Sequence, residues 1–508
     1  MDYLLINIKL EKSPHCQLPI SKSSKNKTLF LLLVSAALVS GCGLIPDHQI
    51  EPVKMDIPVH WQAIENSNGM VSNDWINSFS TPELTHLITE ALHYNFDLKA
   101  AAARVKTAQA LVRINGADRF PQFSFGFDAR RSQRNSTSGF RISSPISNSF
   151  GIDFSINWEL DVWGKLQNRA NAAELDFKAS EADYRAARFS LAANVAKSWF
   201  NLIEARQQSH LLQKKVTAFE TARQIIEDGY AIGVNSALDV RLARANVASA
   251  ESQLQAQKIQ LDNTSRALEV LLGRYPRAEI LGADQLPRLQ HTVKLGLPVA
   301  LLRRRPDILA AEHRLAASDQ RVSEAIKSLL PTFSLSANAG TNTGDIRDVL
   351  NYDALVWNII GNMTQPIFQG GRLIASKFQA DAINEEALAN YGQIVLQAFF
   401  EVETAIKAEQ LLEKQEQALS LAVTESVEAE NLALEEYNAG IVDMTTLLEA
   451  QRRSYDAQSA LLQVSNQRLT NRINLYLALG GAFSKQESKQ NPEQVENNNL
   501  PIQLLSQD

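Results

Sequence analysis

The chain is written twice. At an offset of 210 residues, Asp97, Ala100, Ala101, Arg104, Pro121, Phe123 and Ser124 recur as Asp307, Ala310, Ala311, Arg314, Pro331, Phe333 and Ser334. At an offset of 207, Gly164, Ala173, Tyr230, Gly233, Ala243, Leu272 and Gly273 recur as Gly371, Ala380, Tyr437, Gly440, Ala450, Leu479 and Gly480. Self-similarity at this scale means that one structural plan is built twice, so whatever the first half folds into must also suit the second. The offset drops by three between Ser124 and Gly164, and length changes of that kind are tolerated in surface loops. An exposed loop of unequal length is expected there.

The plan is dominated by helix. Lys165 to Asp228 is 64 residues without Gly or Pro, rich in Ala, Leu, Glu, Gln, Lys and Arg, which are strong helix formers. As one helix it would be ~96 Å long. Its counterpart runs from Arg372 to Ala439, with only Gly392 inside it. Leu191, Val195, Trp199 and Leu202 form an apolar stripe that calls for a partner helix. Returning helices are expected from Ala237 to Leu272 and from Thr445 to Leu479, ended by Gly273 and Gly480 as C-caps. A shorter pair, Phe96 to Gly116 and Pro306 to Ser328, precedes the remaining segments. Asn95 suits an N-cap, Pro306 suits the first helical position, and Asp97 and Asp307 sit where the helix dipole favours a carboxylate. Only 22 Gly and 16 Pro in 508 residues argue against a loop-rich sandwich. A net charge of −6 without a polybasic block leaves no electrostatic footprint for nucleic acid.

The N-terminus reads as an export address. Lys22, Lys25 and Lys27 precede the apolar run Leu29 to Val39, too short to span a bilayer, and Ser40-Gly41 place small residues before Cys42. Val39-Ser40-Gly41-Cys42 resembles the bacterial lipobox, which implies cleavage before Cys42 and a covalent lipid on it. The residue after it is Gly43, not Asp, and outer-membrane delivery is expected. Met1 to Ile20 fits neither a leader nor a domain, as if the start codon were assigned too early.

Four segments change period. Phe123, Phe125 and Phe127 alternate with Ser124, Gly126 and Asp128, and Phe150, Ile152, Phe154, Ile156 and Trp158 alternate with small or polar residues. Phe333, Leu335, Ala337 and Ala339 repeat the first pattern, and Trp357, Ile359, Gly361 and Met363 repeat the second. Period two means strands. In an exported chain, one apolar and one polar face read as lipid outside and water inside; a soluble sheet packed on helices is the alternative. Four strands cannot close a barrel, and open edges in lipid leave backbone groups unpaired. Two copies would give eight strands with a nearly filled interior, whereas three give twelve and a pore.

Trp158-Glu159-Leu160-Asp161-Val162-Trp163-Gly164-Lys165, Leu302-Arg303-Arg304-Arg305-Pro306-Asp307-Ile308, Pro366-Ile367-Phe368-Gln369-Gly370-Gly371-Arg372, and the duplicated Tyr230-Ala231-Ile232-Gly233 and Tyr437-Asn438-Ala439-Gly440 together resemble the TolC-like outer-membrane efflux factors, in their lipoprotein (NodT/OprM-type) branch. The resemblance covers Trp75 to Phe483. It implies a mainly α fold with a membrane β-barrel portion: a duplicated helix-strand-strand-helix repeat, trimerised into a 12-stranded β-barrel plus a long periplasmic α-helical barrel. The corresponding division is a signal peptide at 1–41, a lipidated tether at 42–80, repeat 1 at 81–290 (strands about 121–131 and 149–160), repeat 2 at 291–483 (strands about 331–341 and 354–367) and a disordered polar tail at 484–508.

The resemblance further implies a passive exit duct for small solutes, with a periplasmic adaptor (membrane fusion) protein and a proton-driven inner-membrane pump as partners, outer-membrane lipid around the barrel, and no cofactor beyond the lipid on Cys42. Gly233 and Gly440 would form the periplasmic tip turns on which the adaptor docks. Glu227, Asp228, Asp239, Glu435, Glu436, Asp443 and Glu449 crowd near those turns. By similarity Glu449 matches an acidic constriction, and Asp239 and Tyr437 match positions that latch the closed state; as solvated surface groups they would do neither. Val442 stands where some members carry a basic latch partner, and Arg241 or Arg244 could substitute. A type I secretion duct and a lipid-anchored coiled-coil scaffold remain the alternatives. No nucleotide-binding, hydrolase or zinc-protease motif is present, and His86 and His93 lack a third ligand nearby, so no enzyme is expected.

Overall fold

The computed structural model describes residues 58, 61–63, 75–79, 81–133, 136–138, 141–143, 146–289, 293, 295 and 298–480. Cys42, the 1–41 leader, most of the 42–80 tether and the 484–508 tail lie outside them. The elements run α1 (Pro82–Tyr94), α2 (Phe96–Ala117), β1 (Gln122–Gln133), β2 (Ser136–Ser138), β3 (Arg141–Ser143), β4 (Ile146–Leu160), α3 (Lys165–Ala231) and α4 (Ala237–Leu271). After a one-turn helix at Pro298–Leu301 come α5 (Pro306–Lys327), β5 (Thr332–Thr343), β6 (Leu355–Thr364), α6 (Arg372–Asn438) and α7 (Met444–Ala478).

The duplication is kept to the residue in the helices. α2 and α5 each have 22 residues, α3 and α6 each have 67, and α4 and α7 each have 35. β1 and β5 each have 12. The change of offset therefore falls after Gln133 and Thr343, in the connections and second strands. The β2–β3 ribbon fills the first connection, and two short 3-10 turns, Ile346–Asp348 and Tyr352–Ala354, fill the second. α6 passes through Gly392 unbroken, because one glycine costs only about 1 kcal/mol relative to alanine.

The described chain divides into two compact units, and the division cuts across both repeats: Arg104–Glu181 with Ala310–Gln393 in one, and Ile57–Ala103, Ala182–Leu309 and the residues from Ile394 onward in the other. The first unit holds a four-stranded antiparallel sheet in the order β1-β4-β5-β6. Its register puts Phe125, Phe154, Ala339 and Trp357 in one row, and Phe123, Ile156, Ala337 and Ile359 in the next. The other face carries Ser124, Ser155, Asn338 and Asn358 in one row, with Gln122, Asn157, Ser336 and Ile360 beside it. Cross-strand bonds knit that face: Ser124 Oγ to Ser155 Oγ at 2.6 Å, Ser336 Oγ to Asn157 Oδ1 at 3.0 Å, and Asn338 Nδ2 to Asn358 Oδ1 at 3.3 Å.

The motif beginning at Trp158 is the strand-to-helix turn that leads out of this sheet. The Asp161 carboxylate accepts from the N–H groups of Leu166 at 3.0 Å and Gln167 at 2.7 Å, capping α3. Trp163 Nε1 donates to Pro331 O at 2.7 Å. Gly370 and Gly371 make the matching turn before α6.

The core of the second unit forms around the apolar stripe of α3. Leu191, Val195, Trp199 and Leu202 are buried with Phe79, Leu84, Ile88, Phe200, Leu268, Leu272, Leu469 and Ile473. Asn95, itself buried, accepts from Leu98 N at 2.9 Å and donates to Leu271 O at 3.0 Å, so one side chain caps α2 and holds the end of α4. Arg305, also buried, donates to Asp307 at 2.7 Å, Glu401 at 2.7 Å and Ala478 O at 3.2 Å, which joins the start of α5 to α6 and the end of α7. The strap Trp61–Ala63 docks on α6. Trp61 packs on Phe399, and the two oxygens of Glu403 accept from the N–H groups of Gln62 at 2.8 Å and Ala63 at 2.9 Å.

Candidate functional site at the paired helical turns

The two hairpin turns, α3 into α4 and α6 into α7, are the places where the charged residues singled out in the sequence come together. Each long helix ends in the same motif. Gly233 N donates to Tyr230 O at 3.1 Å and Val234 N to Gly229 O at 2.8 Å; Gly440 N donates to Tyr437 O at 3.0 Å and Ile441 N to Glu436 O at 2.9 Å. This satisfies the last carbonyls of the helix and needs a left-handed residue, and both glycines have positive φ, 80° and 73°.

The turns are fastened by one small core. Ile226 of α3, Val240 and Ala243 of α4, Ala433 of α6, and Met444 and Leu447 of α7 are buried together, with Tyr437, Leu448 and Ala450 packed against them. Tyr437 and the hairpins bearing Gly233 and Gly440 therefore belong to one assembly.

α4 opens on a capping box, with Ser236 as the N-cap and Asp239 at the third helical position, and α7 opens on the carboxylate cap Asp443. Asp239 accepts from Ser236 N at 2.8 Å and Ser236 Oγ at 2.7 Å, while Ser236 Oγ accepts from Asp239 N at 3.1 Å. Asp443 accepts from Thr446 N and Thr446 Oγ1, both at 2.8 Å. The Ser236 contacts hold Asp239 below the usual carboxylate range, with the Asp443 charge opposing; the Thr446 contacts do the same for Asp443. Within one chain the bonds of Asp239 are thus made to Ser236, and Tyr437 contributes packing.

Glu449 lies two turns into α7 in a cationic setting that the sequence reading passed over. Its carboxylate accepts from Arg452 Nη2 at 2.8 Å and Arg453 Nε at 2.7 Å, and Arg452 also reaches Asp456 at 3.2 Å. Those two guanidiniums hold its pKa down at about 2. Arg244, weighed as a substitute latch, donates to Glu227 at 2.8 Å, and Glu227 also accepts from Arg223 at 3.0 Å. The spacing of i+3 and i+4 from Glu449 to the two arginines is a readable signal.

The residues 87–274 and 297–481 match the family model described as outer membrane efflux protein, one segment in each repeat. The pyoverdine export outer membrane protein OpmQ of Pseudomonas putida is 31% identical over 480 residues, 92% of this chain and 97% of that protein. The cation efflux system protein CusC of Escherichia coli is 29% identical over 462 residues, 89% of this chain and 98% of its own length. Among solved structures, the outer-membrane channel OprN superposes with a TM-score of 0.79 at 27% identity, covering 87% of this chain and all of that one. With both repeats matched over most of their length, the chain belongs to the outer membrane efflux protein family.

Proposed function

We propose that the protein is the outer-membrane exit duct of a tripartite efflux system, passing small solutes without catalysis. The sheet carries this reading. One face exposes Phe123, Phe125, Trp357, Ile359 and Met363 while the other is polar and hydrogen-bonded, and β1 and β6 are both edge strands. Among the described residues no helix is long and apolar enough to cross a membrane, so the sheet is the element suited to meet lipid. Three copies joined edge to edge pair every strand.

Covalent lipid on Cys42 supplies the anchor, and the Gly233 and Gly440 turns supply the contact for a periplasmic adaptor fed by an inner-membrane pump. Glu449, Asp239 and Tyr437 are assigned to the constriction and its latch. CusC and OpmQ, similar to this chain to nearly the same degree, are named for cations and for pyoverdine. Cargo so different on one scaffold supports a duct whose substrate is chosen upstream.

The test is single-channel recording of the purified trimer in a planar bilayer under asymmetric salt. Discrete steps are expected, from the wild type or from Asp239→Asn and Tyr437→Phe variants if the resting state is shut. Silence from all three with insertion confirmed, and solubility of a Cys42→Ser form without detergent, would replace the duct by a periplasmic scaffold.

A further inference from the structure

The register of the sheet fixes where its apolar face ends. Along β4 every position on that face from Leu160 to Phe150 is apolar, and along β1 Phe123, Phe125, Phe127 and Ala129 continue it. From Leu160 to Phe150 is 160 − 150 = 10 residues, or ~34 Å along the strand. A strand tilt of about 40° reduces that to about 26 Å of height, which is the depth of the apolar band on an outer-membrane barrel. The next rung on the same face, directly after Ala129 and Phe150, pairs Arg131 with Asn148. α2 and α3 join the sheet at its other end, beside Gln122 and Leu160. With the helices on the periplasmic side, the Arg131–Asn148 rung stands at the outer leaflet.

That rung presents two free donors. Arg131 and Asn148 are both exposed, and neither side chain has a hydrogen-bond or ionic partner among the described residues. Residues directly opposite on an antiparallel pair hold their Cβ atoms about 5 Å apart, so a guanidinium and a carboxamide stand side by side. The acids of the two strands, Asp128, Asp153 and Glu159, fall on the polar face by the same alternation. Asp345, in the connection after β5, is taken by Arg347 at 2.5 Å. No carboxylate of β1 or β4 therefore neutralises Arg131 on its own side of the sheet. An arginine facing lipid is costly at mid-membrane depth and nearly free at the interface, which is where this rung lies.

We propose that Arg131 and Asn148 bind a phosphate of the glycolipid that forms the outer leaflet. The guanidinium donates to the phosphate in bidentate fashion, the Asn148 amide adds a neighbouring donor, and an acyl chain lies over Ala129 and Phe150. Three copies in one barrel repeat the rung three times. The inference rests on the membrane placement of the sheet.

The test is native mass spectrometry of the full-length trimer, extracted in detergent, depleted of bound lipid and titrated with bisphosphorylated lipid A. Up to three adducts per trimer are expected, and the same lipid stripped of its phosphates should bind at least fivefold more weakly. Arg131→Gln should weaken binding at least fivefold. Asn148→Asp, which sets a carboxylate against the guanidinium, should do the same and carries the test if Arg131→Gln does not assemble. Arg347→Gln, a loss of charge on the nearby connection, should leave binding unchanged. Equal binding of the dephosphorylated lipid overturns the proposal, as does wild-type affinity in Arg131→Gln or Asn148→Asp. Phosphatidylglycerol bound as tightly as lipid A overturns it too, by reducing the rung to an unselective anionic contact. A trimer that conducts in discrete steps yet fails these tests loses only the lipid site, whereas a chain soluble without detergent loses the duct reading as well.

Discussion

Glu449 Oε1 and Arg453 Nε lie 2.7 Å apart, one helical turn along α7. With Arg452 on the same carboxylate, the position matched to an acidic constriction is a compensated cluster. Glu449→Ala should therefore do more than remove cation preference: it leaves Arg452 and Arg453 behind and shifts the reversal potential toward anions. Arg452→Ala with Arg453→Ala should shift it the opposite way. If both variants conduct with wild-type selectivity, Glu449 does not line the conduction path.

The same pair sets a pH expectation. The folded-state pKa of Glu449 lies at about 2, below its ordinary value, so its contribution to stability is present above the unfolded carboxylate pKa and lost as pH falls through the folded one. Ion selectivity should accordingly stay level from neutral pH down to roughly pH 4 as far as Glu449 is concerned. A reversal potential that titrates between pH 7 and 5 and loses that dependence in Glu449→Gln would contradict the arginine clamp.

Asp239 combines a cap with a proposed latch, and two substitutions separate the roles. Ser236→Ala removes the hydroxyl cap and should cost about 1 kcal/mol of local helix stability, seen as faster amide exchange at the start of α4. Asp239→Asn keeps an acceptor but removes the charge. Raised open probability in Asp239→Asn without it in Ser236→Ala supports a latch between neighbouring chains, whereas equal opening in both points to fraying of the cap.

Arg305 serves three acceptors from a buried position. Arg305→Lys keeps the charge but cannot reproduce the fork, and Arg305→Ala leaves Glu401 and Asp307, both partly exposed, without it. The expected losses are about 1 kcal/mol and about 2–3 kcal/mol, measured by denaturant unfolding. Indistinguishable midpoints would show the cluster to be energetically idle.

The two faces of the sheet make opposite predictions for the same charge. Phe125→Arg on the apolar face should cost about 2–4 kcal/mol at mid-membrane depth and reduce the trimer recovered from outer membranes. Ser124→Arg, its neighbour on the polar face, should be tolerated and alter conductance. The reverse pattern would turn the sheet inside out.

Periodicity made much of this fold legible. The period-two segments became strands in register because alternation fixes which side chains share a face, and the Leu191 stripe became core because helical spacing leaves it no other place. Asn95 caps α2 because its short side chain can accept from a first-turn N–H, and Pro306 opens α5 because its fixed φ and missing N–H suit the first helical position. What stayed hidden was side-chain partnership. The aspartate of the Ser236–Asp239 box could be read as a gate charge as readily as a cap. Glu403 meets Gln62 across 341 positions of sequence, and no local pattern announces such a pairing. Ala278 offers no hint of its left-handed backbone, φ 60°, or of the 2.8 Å bond its N–H donates to the Glu269 carboxylate.

The docking of Trp61 and Glu403 also acts as a leash. From Cys42 to Trp61 is 61 − 42 = 19 residues, and an extended chain reaches no more than ~3.4 Å per residue, or roughly 65 Å in all. For a chain lipidated at Cys42, the bilayer surface and this point on α6 cannot be farther apart than that, whatever path the intervening residues take. The strap is thus a depth gauge: lengthening it by insertion before Trp61 relaxes the limit, and shortening it pulls α6 toward the membrane or tears Trp61 from its seat.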